Sequence, residues 1–245
     1  QENDIAYILN HAKVQGVFTE AAYVPRLEKV INKEVRYKII LEADENIFID
    51  GWERLEDVQK NGSEEMVDEQ IEDDALAQVL YTSGTESAPK GVMLSHKSII
   101  SAYVSCIVDG GMEASDIFLH ALPFYHSAQL HVFLGPSIYL GATGIILEGA
   151  EITEMMQTIE KYKANQLFAP PTVWIALLRH ERFEDFDLSS LEKCYYGAAI
   201  MPREVLRELM EALPKARFWN FYGQTEVAPL ATALKPEDPL RKLGS

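Results

Sequence analysis

Cys106 and Cys194 are the only two cysteines in 245 residues. They stand far apart, and neither has a second Cys or a Cys/His cluster beside it. A zinc motif and a disulfide framework are both excluded by that spacing. Each lies in an apolar, element-like context, which predicts buried structural thiols and is compatible with a reducing cytoplasm. Long hydrophobic runs are missing too. None reaches the roughly 20 residues that a membrane-spanning helix needs, and the longest candidate, Leu130 to Leu147, is broken by Gly135, Pro136, Gly141 and Gly144. Positive charge is scarce: 22 Lys and Arg face 38 Asp and Glu, for a net charge of −16. With no basic patch, nucleic acid is not an expected partner. The first residues, Gln1 to Asp4, are polar and acidic, so they are not expected to be a secretory signal.

The chain is otherwise of ordinary globular composition, 47% hydrophobic and 24% charged, and long enough to bury a sizeable core. Much of the acidity is concentrated between Asn61 and Asp74, which reads as a solvated linker. On either side of it, short β-rich runs alternate with amphipathic runs of helical length. The pattern predicts helices over Ile5 to Ala12 and Ala21 to Asn32, with strands at Val14 to Phe18 and Tyr37 to Leu41. Beyond the linker it predicts strands at Ala75 to Tyr81, Val92 to Leu94, Ile117 to Leu122, Thr143 to Leu147, Gln166 to Ala169, Lys193 to Tyr196 and Phe218 to Phe221. The helices between them are a Ser95-capped helix to Val108, Ala128 to Leu140 with a break at Pro136, Ile152 to Lys163, Pro171 to Arg179 and Pro202 to Leu213. Strand alternating with helix predicts an α/β fold with largely parallel sheets and helices on their faces. In such sheets ligands sit beyond the carboxyl ends of the strands.

One such loop carries chemistry. Leu80 to His96 reads LYTSGTESAPKGVMLSH, and packs Thr82, Ser83, Gly84, Thr85 and Ser87 behind a strand. Small residues let backbone amides approach a phosphate, the hydroxyls add donors, and Lys90 adds a compact positive charge. It is not the GxxxxGK[ST] loop, since no Gly-Lys-Ser/Thr order is present. Tyr-Thr-Ser-Gly-Thr followed by Pro-Lys-Gly instead resembles the phosphate-loop signature of the adenylate-forming (AMP-binding) superfamily, which includes acyl-CoA synthetases. Glu86 and Ser87 stand where the usual pattern has Thr-Gly; Glu86 is expected to point into solvent rather than weaken ATP binding.

Three further segments follow in the superfamily's order. Asn220 to Glu226, NFYGQTE, resembles its Tyr-Gly-x-Thr-Glu motif. The resemblance implies that Tyr222 packs on adenine, that Asn220, Gly223, Gln224 and Thr225 belong to the nucleotide site with Thr225 on the α-phosphate, and that Glu226 helps hold Mg²⁺, with Thr82 as a second metal contact. Leu122 to Gln129, LPFYHSAQ, resembles the segment that places a histidine, here His126, at the acyl pocket, with Tyr125 beside it. Tyr196 to Met201, YGAAIM, resembles the Gly-Gly-Ala-Pro segment: Gly197, Ala198 and Ala199 would line the nucleotide site, and Tyr196 would narrow the acyl pocket.

The resemblance implies part of the large N-terminal domain of a bacterial fatty-acid–CoA ligase. Residues 1–60 would precede the phosphate loop, 61–74 would be the acidic linker, and 75–245 would hold the nucleotide and acyl core. A hinge and a lysine-bearing C-terminal domain are not among these residues. The implied activity is ATP-dependent activation of a carboxylic (fatty) acid to an acyl-adenylate and then to acyl-CoA. Thr82, Lys90, His126 and Glu226 would be its catalytic groups, ATP, Mg²⁺ and CoA its small molecules, and the cytoplasm its location. A homo-oligomer is compatible with it. An aryl-CoA or acyl-AMP ligase, and a nucleotide-binding module without turnover, are the alternatives. The apolar helix from Ala128 and the loops near Phe168 to Trp174 suit a hydrophobic acid, and Ala121 to His126 offers no Asp to grip an amine.

Overall fold

The computed structural model describes residues 2–41, 48–82 and 88–237. These fall into two compact units, one drawn from residues up to 72 together with 79–93, the other from residues 73–78 and those from 94 onward. In the first unit, α1 (Glu2–His11), β1 (Gly16–Thr19), α2 (Val24–Leu27), β2 (Tyr37–Ile40), β3 (Glu53–Arg54) and α3 (Leu55–Asn61) build a three-stranded parallel sheet, ordered β1-β2-β3. Val24, Leu27, Ile40 and Trp52 form its small core. The helix expected over Ala21 to Asn32 is cut to a 3₁₀ turn and α2, because the Val30 and Ile31 amides both fold back on the Leu27 carbonyl and close the turn. After α3 the acidic stretch is exposed and irregular to residue 73. Two strands, β4 (Leu76–Thr82) and β5 (Lys90–Ser95), then pair with each other.

The second unit is a three-layer structure. Its elements are α4 (His96–Gly110), β6 (Ile117–His120), a π-helix (Ala128–Leu134), α5 (Gly135–Leu140), β7 (Thr143–Ile146), α6 (Ile152–Tyr162), β8 (Gln166–Phe168), α7 (Pro171–Leu178), β9 (Lys193–Gly197), α8 (Arg203–Ala212), β10 (Arg217–Gly223) and β11 (Leu230–Leu234). The six strands are ordered β11-β10-β9-β8-β6-β7. All neighbours run parallel except β10 and β11. Strand side chains alternate between faces, and the core follows that rule. Leu119, Leu167, Cys194, Tyr196 and Phe218 join Met155, Met156 and Ile159 of α6, Trp174 of α7 and Leu206 of α8. Their chain neighbours Phe118, Phe168, Tyr195 and Trp219 join Cys106 of α4 and Phe133 of the π-helix on the other face.

Local chemistry explains the helix starts. The Ser95 hydroxyl accepts from the Ser98 amide at 3.2 Å, the expected N-cap of α4. The Glu151 carboxylate caps α6 through the amides of Thr153 and Glu154. The helix expected from Ala128 to Leu140 is instead a π-helix that gives way to an α-helix at Gly135, with Pro136 in the first turn of α5. Proline has no N–H to donate and clashes with the carbonyl four residues back, so the regular helix restarts there. Both cysteines are buried, and burial pushes the Cys106 thiol up to about 12 and the Cys194 thiol higher still.

Candidate active site

The segments singled out in the second unit converge on the carboxyl ends of β6, β8, β9 and β10. Beyond β6 the chain runs through Leu122 and Pro123, the His126 amide bonds to the Pro123 carbonyl at 3.3 Å, and the π-helix begins. The π-helix is anchored by His131, whose ring nitrogens lie 3.1 Å from the Tyr103 hydroxyl and 2.5 Å from the Gln78 amide oxygen. β8 ends in Phe168, which stacks on Phe133 of the π-helix with centroids 4.4 Å apart. β9 ends in Gly197, buried against the Phe221 carbonyl so closely that no side chain fits. Ala198 follows at φ +65, a left-handed conformation that costs a non-glycine residue about 1–2 kcal/mol. Such strain concentrates at functional sites.

β10 ends in an irregularity between Tyr222 and Gly223. A methyl at Gly223 would collide with the Pro229 carbonyl, and the Gln224 amide donates to that same oxygen at 2.9 Å. The tight return places Thr225 so that its hydroxyl lies 3.1 Å from the Ser127 hydroxyl. Two motifs 98 residues apart are thereby tied together.

Two cavities open here. One, of about 210 Å³, is bordered by Gly197, Tyr222, Gly223, Gln224 and Thr225, with the Phe133, Phe168 and Phe221 rings beside them. The other, of about 400 Å³, is bordered by Leu122, Pro123, His126, Gln129 and Pro170. Ser127, Ala128, Phe168 and Ala198 line both. The two cavities therefore adjoin along these four residues.

The expected residues fall into three groups. His126, Gly197, Ala198, Tyr222, Gly223, Gln224 and Thr225 come together around the cavities, with Tyr222 66% exposed and open to a stacking partner. Glu226 is exposed immediately after Thr225 and, among the described residues, makes no ion pair, so its oxygens are free for a hard cation. The second group lies aside. Asn220 is half-buried within β10, Ala199 is exposed beyond the lining, and Tyr125 is 77% exposed against the His126 ring rather than in the cavity. Tyr196 corrects an expectation. It is fully buried among the α6–α8 core, on the sheet face away from Phe133 and Phe168, and does not narrow the pocket. Strand alternation decides this: Tyr195 takes the near face, so Tyr196 must take the far one.

In the third group, Thr82 is half-buried at the end of β4 and Lys90 is exposed at the start of β5, both in the first unit. Ser83, Gly84, Thr85, Glu86 and Ser87 lie outside the described residues. Trp174, in the apolar stretch expected near the acid, is a core residue whose indole donates to the Tyr195 carbonyl. Ser127, Gln129 and Pro170 were not singled out by sequence. Ser127 and Gln129 sit within the quoted LPFYHSAQ segment, and Pro170 is marked only by following a strand. No helix among the described residues is long and apolar enough to cross a membrane.

A family model described as AMP-binding enzyme matches residues 1–245. The chain is 30% identical over 217 residues to a 4-coumarate–CoA ligase-like protein of Arabidopsis thaliana, covering 86% of this chain and 39% of that protein. It is 33% identical over 160 residues to a long-chain-fatty-acid–CoA ligase of Bacillus subtilis (strain 168), covering 64% and 28%. The fold matches that of the anthranilate CoA ligase AuaEII, solved in complex with anthranoyl-AMP, with a TM-score of 0.86 at 20% identity, over 97% of this chain and 46% of that one. The chain thus spans less than half the length of each of these relatives.

Proposed function

The chain belongs to the AMP-binding enzyme family, and on that footing we propose that its protein activates a carboxylic acid, a fatty acid in the first instance, by adenylation and then passes the acyl group to CoA. The observation that carries this reading is the shared wall. The cavity beside Tyr222 to Thr225 suits a nucleotide, the cavity beside His126 suits an apolar acid, and Ser127, Ala128, Phe168 and Ala198 border both. An acid in the larger cavity can bring its carboxylate to an α-phosphate held at Thr225.

In the first step a carboxylate oxygen bonds to the α-phosphorus of ATP, the bond to the bridging oxygen breaks, and pyrophosphate leaves. The difficulty is electrostatic, since one anion must approach another. Tyr222 offers its face to adenine, while Gly197 and Gly223 permit close backbone approach. The Thr225 hydroxyl, fixed by Ser127, orients the α-phosphate, so the reactants meet by positioning and preorganised polarity. On this reading His126, on the wall of the larger cavity, meets the carboxylate of the acid. Mg²⁺, bound through Glu226, would supply neutralising charge on the phosphates. The roles of Thr82, Ser83, Gly84, Thr85 and Lys90 as the polyphosphate cradle rest on the sequence resemblance. In the second step the CoA thiol, losing its proton, bonds to the acyl carbon, and AMP leaves.

The test is carboxylate-dependent ATP–pyrophosphate exchange on the full-length protein, with acids from acetate to palmitate and with benzoate and phenylpropanoate. Exchange that depends on one class of acid and collapses in Glu226→Ala establishes adenylation. A preference for aromatic acids would make the protein an aryl-CoA ligase, and product that stops at the adenylate with CoA present would make it an acyl-AMP ligase. ATP binding without exchange for any acid would leave a nucleotide-binding module.

A further inference from the structure

The cavity beside His126 is apolar along Leu122, Pro123, Phe168 and Pro170, yet one wall residue is an amide. Gln129 enters from the π-helix and is 1% exposed. Its Nε2 lies 2.7 Å from Nδ1 of His120, and its Oε1 has no hydrogen-bond partner among the described residues. His120 is equally buried, with its ring stacked on Phe118 at 5.7 Å and edge-on to Phe124 at 6.0 Å. Its Nε2 also lacks a partner. Burial holds this imidazole neutral. The amide nitrogen can only donate, so Nδ1 accepts and the ring proton sits on Nε2. The amide oxygen is left unpaired among the described residues. A buried polar group without a partner is costly, and native structures rarely keep one without a reason.

Resting on the proposed acid activation, we propose that Gln129, oriented by His120, is the specificity residue of the acid cavity: among the acids with a largely apolar body that the cavity admits, it favours those carrying a hydrogen-bonding group, such as a hydroxyl, away from the carboxylate. A small turn of the amide toward the cavity it lines pairs its free end with that group. A plain alkyl or phenyl end leaves the amide unpaired and adds a second desolvation cost. Such discrimination is strong where a site is built to meet a polar group, because the analogue without that group strands the site's own polar atom. His120 is then a positioning residue, clamped by aromatic rings and fixing one end of the amide so that the other is available.

The test compares matched acids on the full-length protein: 3-phenylpropanoate with 3-(4-hydroxyphenyl)propanoate, and hexanoate with 6-hydroxyhexanoate. Their dissociation constants are measured by calorimetry and their kcat/KM values by pyrophosphate exchange. In the wild type the hydroxylated member of at least one pair is expected to bind roughly 10-fold tighter or more. In Gln129→Leu, and in the near-isosteric Gln129→Met should Leu disturb the core, that ratio should fall below one as the plain acid gains. Ratios within one preparation do not depend on its active fraction. A wild-type ratio near one for both pairs, or a ratio unmoved in both variants, overturns the proposal. Selective binding without exchange would instead overturn adenylation and leave the role of Gln129 standing.

Discussion

The two ends of the six-stranded sheet treat buried polar groups in opposite ways. At the amino ends, Asp116 accepts from Lys193 Nζ through both carboxylate oxygens at 2.8 Å, and also from Asn165 Nδ2 at 3.0 Å, Gln166 Nε2 and the Glu113 amide. Asn165 in turn accepts from the Ile117 amide, and the Tyr195 hydroxyl bridges Gln166 and the Gly110 carbonyl. Three strands are locked at their starts by a network in which each charge is paired. At the carboxyl ends lie the cavities, a left-handed Ala198, and the half-paired His120 and Gln129. The contrast teaches that burial of charge is a poor guide to function. A satisfied network specifies structure, and an unsatisfied pair beside a cavity is where we propose that a ligand completes the pairing.

The sharpest way to break the comparison is at the amino ends. Asp116→Ala leaves the buried Lys193 ammonium with only a long ion pair to Glu113 at 3.9 Å and should cost about 3 kcal/mol, read as a lower urea midpoint with an unchanged slope. Glu226→Gln is the opposite case. Its carboxylate is exposed, so stability should move by no more than about 0.5 kcal/mol, while acid-dependent exchange should fall on the order of 100-fold, or about 2.7 kcal/mol of barrier. An equal loss of stability in both variants would erase the distinction between the two ends.

A pH titration sharpens it further. Burial lowers the His120 pKa from 6.5 to about 4, so between those values the unfolded chain binds the proton that the folded chain refuses. Stability contributed by the neutral ring is full above the unfolded pKa and is lost as pH falls toward 4, at up to about 1.4 kcal/mol per pH unit. His120→Leu should flatten that segment of the stability–pH curve, measured by urea unfolding from pH 4 to 7. The smallest effect belongs to Ala198→Gly. Relief of the left-handed strain, partly offset by a more flexible unfolded chain, should raise stability by about 0.5 kcal/mol. A loss instead would show that the Ala198 methyl packs usefully in the cavity wall.

Most of the architecture was legible in the sequence, because strand and helix periodicities are local. The Ser95 cap, the strand runs from Ile117 to Phe221 and the helices between them fall close to the observed elements. The clustering of His126, Gly197 and Tyr222 to Thr225 followed from motif order and from the rule that ligands meet the carboxyl ends of parallel strands. Other features left no such mark. The antiparallel edge strand Leu230–Leu234 holds its place by pairing with β10 rather than by any pattern of its own. The short helix Leu55–Asn61 borders the acidic stretch and shares its polar composition, so no apolar periodicity marks it.

The sequence by itself determined the alternation of elements, the order of the motifs and the family, since each depends on residue type and order along a few tens of positions. Tertiary structure alone decided which way the side chains went. Tyr196 was sent into the α6–α8 core by the register of β9, and Ser127 was brought to Thr225 by the return of the chain at Pro229. The pairing of Gln129 with His120 likewise required a π-helix and a strand end to meet. These are contacts between distant segments, and their geometry exists only once the sheet has been assembled.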